Sequence, residues 1–131
     1  MTTTTTARPD LSAYNESVMM STPELVTALR DLLGAKLVAY IARVKETRAV
    51  RMWADGVRGI GAPQDVERLR IAYRAARLVN ERDGRSVTQA WFQGLNPFLD
   101  DCSPARALRE GDVESDGARV IAAARQFAAV G

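Results

Sequence analysis

The sequence contains no histidine, a single cysteine at Cys102, few aromatic residues and no long apolar run. The lack of histidine excludes Ser–His–Asp and Cys–His catalysis as well as imidazole metal ligands. One cysteine leaves no internal disulfide and too few thiolates for a zinc site. These absences favour a protein that is not an enzyme and that needs no metal or cofactor.

No apolar segment approaches the roughly 20 residues that a membrane-spanning helix needs. The chain starts with a threonine run, Thr2–Thr6, and not with the basic and apolar stretches of a signal peptide. We therefore expect a cytoplasmic protein with no membrane partner. The threonine run buries nothing, so residues 1–21 are predicted to form a disordered tail.

Alanine and arginine are abundant and only 6% of the residues are aromatic, which favours helices over strands. No segment alternates with the period of a strand, whereas apolar residues recur at helical spacing. With 131 residues, the chain forms one domain or two very small ones. We predict an all-α fold. The expected helices cover about 22–33, 35–42, 47–54, 63–82, 87–92, 104–110 and 116–129.

The net charge of +2 is distributed unevenly along the chain. Residues 22–85 hold 13 Lys and Arg against 8 Asp and Glu, whereas residues 86–131 hold 4 against 6. A basic front half and a mildly acidic back half indicate one surface for a polyanion and another for a different partner. We therefore divide the chain into an N-terminal helix-turn-helix bundle, 22–61, and a small C-terminal helical interaction domain, 62–131.

Residues 35–56 have the pattern of a DNA-binding helix-turn-helix. The turn carries an inward apolar residue, Val44, and the second helix packs through Val50 and Trp53. Arg43 occupies the turn position where glycine is usual, because the backbone there has a positive φ. The alternative is that the two helices only pack together and expose a solvated basic face. The residues predicted to contact DNA are Lys45, Thr47, Arg48 and Arg51, with Asp55 on the same face.

The long helix predicted from residue 63 has two apolar stripes, which indicates burial on two sides, against both halves of the chain or against a second subunit. A break is expected at residues 83–84. We expect the arginines between the stripes to form a solvated face. The stripes are Val66, Leu69, Tyr73 and Ala76, and Ile71, Ala75 and Leu78; the arginines are Arg68, Arg70, Arg74 and Arg77.

The back half carries several motifs in a distinctive order. They are a tryptophan, an Asn-Pro pair, a helix that starts with Ser-Pro, a glycine and a final amphipathic helix. In this sequence they are Trp91, Asn96-Pro97, Ser103-Pro104, Gly111 and residues 120–127.

This order resembles the C-terminal domain of the Xre/MbcA/ParS antitoxins of the actinobacterial type, and with the helix-turn-helix the resemblance spans about residues 24–131. Members of that family pair with RES-domain toxins, which destroy NAD⁺. The resemblance implies that the C-terminal part covers the toxin active site. It also implies that the helix-turn-helix represses its own operon by binding operator DNA, as a homodimer or a larger complex with the toxin. The residues that it places against the toxin are Trp91, Asn96, Pro97, Ser103, Arg106, Arg109, Arg125 and Gly131.

Three functions stay open at this point. The first is a toxin-neutralising autorepressor, for which an adjacent RES-toxin gene would be expected. The second is a stand-alone helix-turn-helix regulator, such as a phage-type repressor, which would bind its operator tightly by itself. The third is an interaction module whose helix-turn-helix no longer binds DNA, so that changing Arg48 and Arg51 to alanine would leave its function intact.

The back half also has an interpretation that involves no partner. In it, the segment is a small helical subdomain, its apolar side chains belong to the core, and Asn96-Pro97 is only a turn. Acidic residues at loop edges then face water and do not hold a metal ion. The expected core residues are Trp91, Phe92, Leu95, Leu99, Leu108 and Phe127, and the acids are Asp100, Asp101, Glu110 and Asp112.

Overall fold

The computed structural model of the chain describes residues 9–130. Within this range the chain consists of helices joined by short connections, with no β-strand, which confirms the predicted all-α class. The helices are α1 (Pro9–Met19), α2 (Thr22–Leu33), α3 (Ala35–Ile41), α4 (Thr47–Ala54), α5 (Pro63–Gln93), α6 (Pro104–Glu110) and α7 (Ser115–Val130), with a 3-10 turn at Pro97–Leu99.

Helix α1 occupies part of the segment for which the sequence predicts disorder, so that prediction is wrong for the described part of the tail. The rest of it, residues 1–8, lies outside the described residues. Helix α1 packs on α5 and buries Ala13 and Ser17, which are 1% and 2% exposed. The Ser17 hydroxyl donates to the carbonyl oxygen of Tyr14, so it is buried without losing its hydrogen bond. Because both buried side chains are small, no apolar period marks this helix.

Helices α2, α3 and α4 contact one another in pairs and form a three-helix unit. The first turn of α2 is closed by a capping box: the Ser21 hydroxyl accepts from the backbone N–H of Glu24, and the Glu24 carboxylate accepts from that of Ser21 at 2.8 Å. One face of α2 is apolar and buried. Its buried side chains are Leu25, Val26, Leu29 and Leu33.

Helix α5 joins the two helices expected at 63–82 and 87–92. Gly84 interrupts its helical geometry with φ 87° and ψ 178°, which confirms the predicted break. Both apolar stripes are buried except at Val66, which is half-buried. Helices α1, α2, α6 and α7 of the same chain cover them, so burial on two sides requires no second subunit. The buried stripe residues are Leu69, Tyr73, Ala76, Ile71, Ala75 and Leu78.

The predicted solvated arginine face of α5 is wrong, most clearly at Arg68. This side chain is only 3% exposed. Its Nε donates to the carbonyl oxygen of Leu108 at 2.5 Å, and its Nη1 lies 2.6 Å from the Asp65 carboxylate. The buried cation is thus neutralised by an acid on its own helix and ties α5 to α6.

The other arginines of this face are occupied by α1. Arg70 donates to two carbonyl oxygens at the end of α1. Arg77 forms a two-pronged pair with Glu16 at 2.8 and 2.9 Å. The guanidinium of Arg74 lies 4.9 Å from the ring centroid of Tyr14. The prediction failed because it depended on whether another helix covers this face, and α1 was not foreseen.

One continuous apolar core runs from Leu25 in α2 to Ala124 in α7 and contains residues of both predicted domains. The boundary near residue 61 therefore separates two segments of sequence that share one core. Gly117 lets α7 approach α5 closely, since a Cβ there would lie 2.6 Å from Cδ1 of Ile71. None of the helices described is long and apolar enough to cross a membrane.

Candidate functional site

Helix α4 presents a polar face to solvent, as the sequence predicts. Val50 and Trp53 are buried, at 0% and 4% exposure, and fix the helix against the core. No element within residues 9–130 covers the opposite face. The exposed side chains in and beside this helix are Lys45, Thr47, Arg48, Arg51 and Asp55.

The turn between α3 and α4 has a defined hydrogen-bond pattern centred on Arg43. The N–H of Arg43 donates to the Tyr40 carbonyl, and the N–H of Val44 donates to the Ala39 carbonyl at 3.0 Å. This is the Schellman arrangement, which needs a left-handed residue directly after the helix. Arg43 has φ 67°, so the structure confirms that it occupies the position where glycine is usual. Val44 packs against the core as the apolar residue that follows.

The cationic side chains of this region share a second property. Within the described part of the chain, none of them forms an ion pair or a side-chain hydrogen bond. By contrast, Arg68, Arg77 and Arg119 are each paired with a carboxylate. Unpaired surface cations keep their full attraction for a polyanion. The unpaired side chains between residues 34 and 58 are Lys36, Arg43, Lys45, Arg48, Arg51 and Arg58.

A separate apolar surface lies where the end of α5, the 3-10 turn and the end of α7 meet. It forms a groove of about 330 Å³, called the C-terminal groove below. Phe98 and Val130 line it and are 59% and 72% exposed, and nearby Leu95 is 77% exposed. Leu95 was expected in the core, and that expectation is wrong. The groove is lined by Trp91, Asn96, Pro97, Phe98, Ala123, Gln126, Phe127 and Val130.

Two of the predicted toxin contacts hold this groove together. Trp91 is 9% exposed, and its ring lies 6.4 Å from that of Phe127. The Asn96 side chain accepts a hydrogen bond from the backbone N–H of Phe98, and its backbone carbonyl accepts from Leu99 and Asp101 at 2.9 Å. Trp91 and Asn96 thus form the base of the groove, while exposed Pro97 lies at its rim.

The remaining predicted toxin contacts lie elsewhere. Ser103 caps α6 by accepting from the N–H of Arg106, whose guanidinium lies 3.0 Å from Glu110. Arg109 faces α3, and Arg125 lines a different groove, between α5 and α7. Of the seven predicted toxin contacts that the structure describes, three therefore lie together. Gly131 lies outside the described residues.

Arg109 is the clearest departure from the predicted toxin surface. Its Nη1 donates to the backbone carbonyl oxygen of Tyr40 at 2.6 Å, and its guanidinium lies 4.7 Å from the centroid of the Tyr40 ring. The side chain joins α6 to the end of α3. It therefore belongs to the neighbourhood of α4 and not to the C-terminal groove.

Sequence reasoning missed the exposed side chains of Leu95, Phe98 and Val130. A signal was present for Phe98, because Asn-Pro starts a turn in which the asparagine side chain binds the N–H two residues on. Phe98 lies in this turn and not in a regular α-helix, so helical periodicity does not place it in the core. Leu95 lies between the end of α5 and the same turn, so helical periodicity does not place it in the core either.

The acids of the back half serve local structure. Asp100 lies 3.1 Å from Arg119. The Asp112 carboxylate accepts from the backbone N–H and the hydroxyl of Ser115 at the start of α7, and these hydrogen bonds lower the pKa of Asp112. Among the residues described, no group of three or more acidic or cysteine side chains could hold a metal ion.

Comparisons of the chain with models of protein families, with curated proteins and with solved structures find no match. The fold and the two surfaces therefore define the chain at the level of an all-helical protein with an exposed basic helix and an apolar groove.

Proposed function

We propose that this protein is a DNA-binding autorepressor and antitoxin, with α3, its turn and α4 acting as the helix-turn-helix. The observation that carries the DNA-binding part is the uncovered face of α4 with its unpaired cations. A recognition helix must present polar side chains to base edges while its other face is fixed by a core. Buried Val50 and Trp53 meet the second requirement, and exposed Thr47, Arg48 and Arg51 meet the first.

In this proposal α4 enters the major groove with its N-terminal end first. Arg48 and Arg51 are suited to the O6 and N7 atoms of guanine, because a guanidinium donates two parallel hydrogen bonds. Thr47, in the first turn, contacts a base or a phosphate, and Lys45 in the preceding turn contacts a phosphate. One helix of eight residues reads few base pairs, so a homodimer on two half-sites is part of the proposal.

The test of DNA binding uses the duplex upstream of the protein's own gene and a shuffled duplex of the same composition. Arg48→Ala and Arg51→Ala are each expected to lower affinity for the upstream duplex by about 5- to 150-fold, which corresponds to about 1–3 kcal/mol. Neither side chain has a partner among the described residues, so thermal unfolding should not change. Arg82→Ala, which removes an arginine that contacts Asp83 and α7, is the matched control. Equal affinity for both duplexes in all four proteins would contradict the proposal.

The antitoxin part of the proposal places a RES-domain toxin on the C-terminal groove. The observation that favours this surface is the exposure of Leu95, Phe98 and Val130 beside Trp91 and Pro97, which the resemblance to antitoxins assigns to the toxin. Contiguous exposed apolar side chains are uncommon on a chain with no partner. In this arrangement the C-terminal groove covers the active site of the toxin and excludes NAD⁺.

The test is coexpression with the product of the adjacent gene, with growth and copurification as readouts. Leu95→Glu and Phe98→Glu are expected to abolish copurification and to restore toxicity, because each buries a charge in an apolar contact. Val57→Glu is the matched control, since Val57 is also an exposed apolar residue, at 72%, but lies beside α4. If the adjacent product is harmless and does not copurify with the wild type, the antitoxin part fails. Specific operator binding alone would then support the stand-alone regulator.

A further inference from the structure

A groove of about 740 Å³ lies beside the start of α4 and extends across α3 to α6. We call it the basic groove. Its cationic side chains come from three elements of the chain: α3, the turn before α4 with the first turn of α4, and α6. The cations that line it are Lys36, Lys45, Arg48 and Arg109, with Tyr40 and Thr47 between them.

The charge of the basic groove is not neutralised within the fold. Lys36, Lys45 and Arg48 form no ion pair within residues 9–130. Two acids, Glu46 and Glu110, also line the groove, against four cations. Glu110 is already paired with Arg106 at 3.0 Å. The groove therefore has an excess of positive charge and attracts an anion.

Arg109 is held in this groove with donors to spare. Its stacking on the Tyr40 ring and its hydrogen bond to the Tyr40 carbonyl fix the orientation of the guanidinium. A guanidinium has five N–H donors, and this bond uses one. A fixed guanidinium with free donors is suited to a phosphate, which it binds in a fork.

We infer that the DNA-binding surface extends from α4 to α6, and that backbone phosphates of one DNA strand lie in the basic groove against Lys36 and Arg109. This inference rests on the proposed function. The groove is continuous with the recognition face, because Thr47 and Arg48 belong to both. Phosphate contacts that flank base contacts set the register of a recognition helix. The back half thus contributes to DNA binding through an arginine that the antitoxin motifs place against the toxin.

The test measures how DNA affinity depends on salt. Lys36→Gln and Arg109→Gln are each expected to lower affinity for upstream and shuffled duplexes alike, by about fivefold near physiological salt, and to reduce the slope of log K against log salt by about 0.9. The double variant should lose about 1.8 in slope. Arg82→Gln, the matched control, removes one positive charge where α5 meets the end of α7 and should leave the slope near the wild-type value.

Lys36 is exposed and has no partner, so Lys36→Gln keeps the fold and gives a clear answer even if Arg109→Gln loosens the contact with α3. Unchanged slopes in both variants, with a reduced slope in Arg48→Gln, would overturn this inference and leave the proposed function standing. No salt-dependent binding by the wild type would overturn both. Loss of partner copurification with an unchanged DNA slope would assign the groove to an acidic protein segment instead.

Discussion

At the scale of single residues, Arg43 adopts a left-handed backbone conformation that is unfavourable for arginine. The Schellman turn requires a left-handed residue, and arginine adopts that conformation at a cost of about 1 kcal/mol relative to glycine. Within residues 9–130 the Arg43 side chain has no partner that would compensate for this cost. Its cation lies beside the proposed recognition helix, which is consistent with selection for binding at the expense of stability.

Arg43→Gly is expected to stabilise the protein by about 1 kcal/mol, because glycine adopts the observed φ of 67° without a Cβ clash. The measurement is the free energy of unfolding from urea titration. Arg43→Ala is the control, since alanine loses the charge but keeps the Cβ, and it should leave stability within about 0.5 kcal/mol of the wild type. An equal gain in both variants would mean that charge repulsion, and not backbone conformation, sets the cost.

At the scale of helices, the attachment of α1 depends on a polar cluster. Glu16 accepts hydrogen bonds from Arg77 and from the hydroxyl of Tyr73, at 2.7 to 2.9 Å. The hydrogen bonds to Arg77 lower the pKa of Glu16 to about 2, from the usual 4.5. Burial, together with the bond to Glu16, raises the pKa of Tyr73 to about 12, so that its hydroxyl stays protonated as a donor. Helix α1 is thus held by charge and hydrogen bonds as well as by Ala13 and Ser17.

Because the folded pKa of Glu16 lies below the unfolded value, its contribution to stability is complete above about pH 4.5 and is lost as the pH falls towards 2. The Glu16 side chain is 43% exposed, so solvent screens the pair, and we expect Glu16→Gln to cost about 1 kcal/mol at neutral pH. The difference from the wild type should vanish near pH 2. The check is urea unfolding of both proteins across this range.

Glu81→Gln is the matched control for that experiment. Glu81 also approaches Arg77, at 3.4 Å, but it lies on the same helix, is 52% exposed and holds no second element in place. It should cost less than about 0.5 kcal/mol at every pH. A cost equal to that of Glu16→Gln would show that charge balance around Arg77, and not the docking of α1, is what stabilises the fold.

At the scale of the whole molecule, the two proposed binding surfaces are carried by one core. Side chains of α2 in the front half and of α7 in the back half are members of the same buried cluster, with α5 between them. Arg68 of α5 also donates a hydrogen bond to α6, and Arg109 of α6 donates one to α3. A ligand bound at one surface therefore contacts the same folded unit that carries the other surface.

We expect residues 9–130 to unfold in one cooperative transition, and the isolated segment 22–61 to lack a cooperative melt. The reason is that the segment loses α5, which packs against α2 and shares its buried core. Circular dichroism and calorimetry of both polypeptides measure this. Two separate transitions in the longer polypeptide, or a cooperative melt of the fragment, would show that the predicted domains fold independently.

The local features of this protein could be predicted from its sequence. The bounds of α4, the capping box at Ser21, the break at Gly84 and the left-handed Arg43 follow from capping, proline, glycine and turn rules, which act over a few neighbouring residues. The buried positions of Val50 and Trp53 follow from helical periodicity. These features depend on interactions within a turn or two of chain, so the order of residues determines them.

Which side chains of α5 and α6 are covered was decided by tertiary structure alone. Arg68 is buried because its Nε donates to the carbonyl oxygen of Leu108 in α6, which is 40 residues further along the chain. Arg109 donates to the carbonyl oxygen of Tyr40, which is 69 residues earlier in the chain. Helical periodicity predicts which face of a helix is polar. Whether that face contacts water, a carbonyl oxygen or a partner depends on which distant element packs against it.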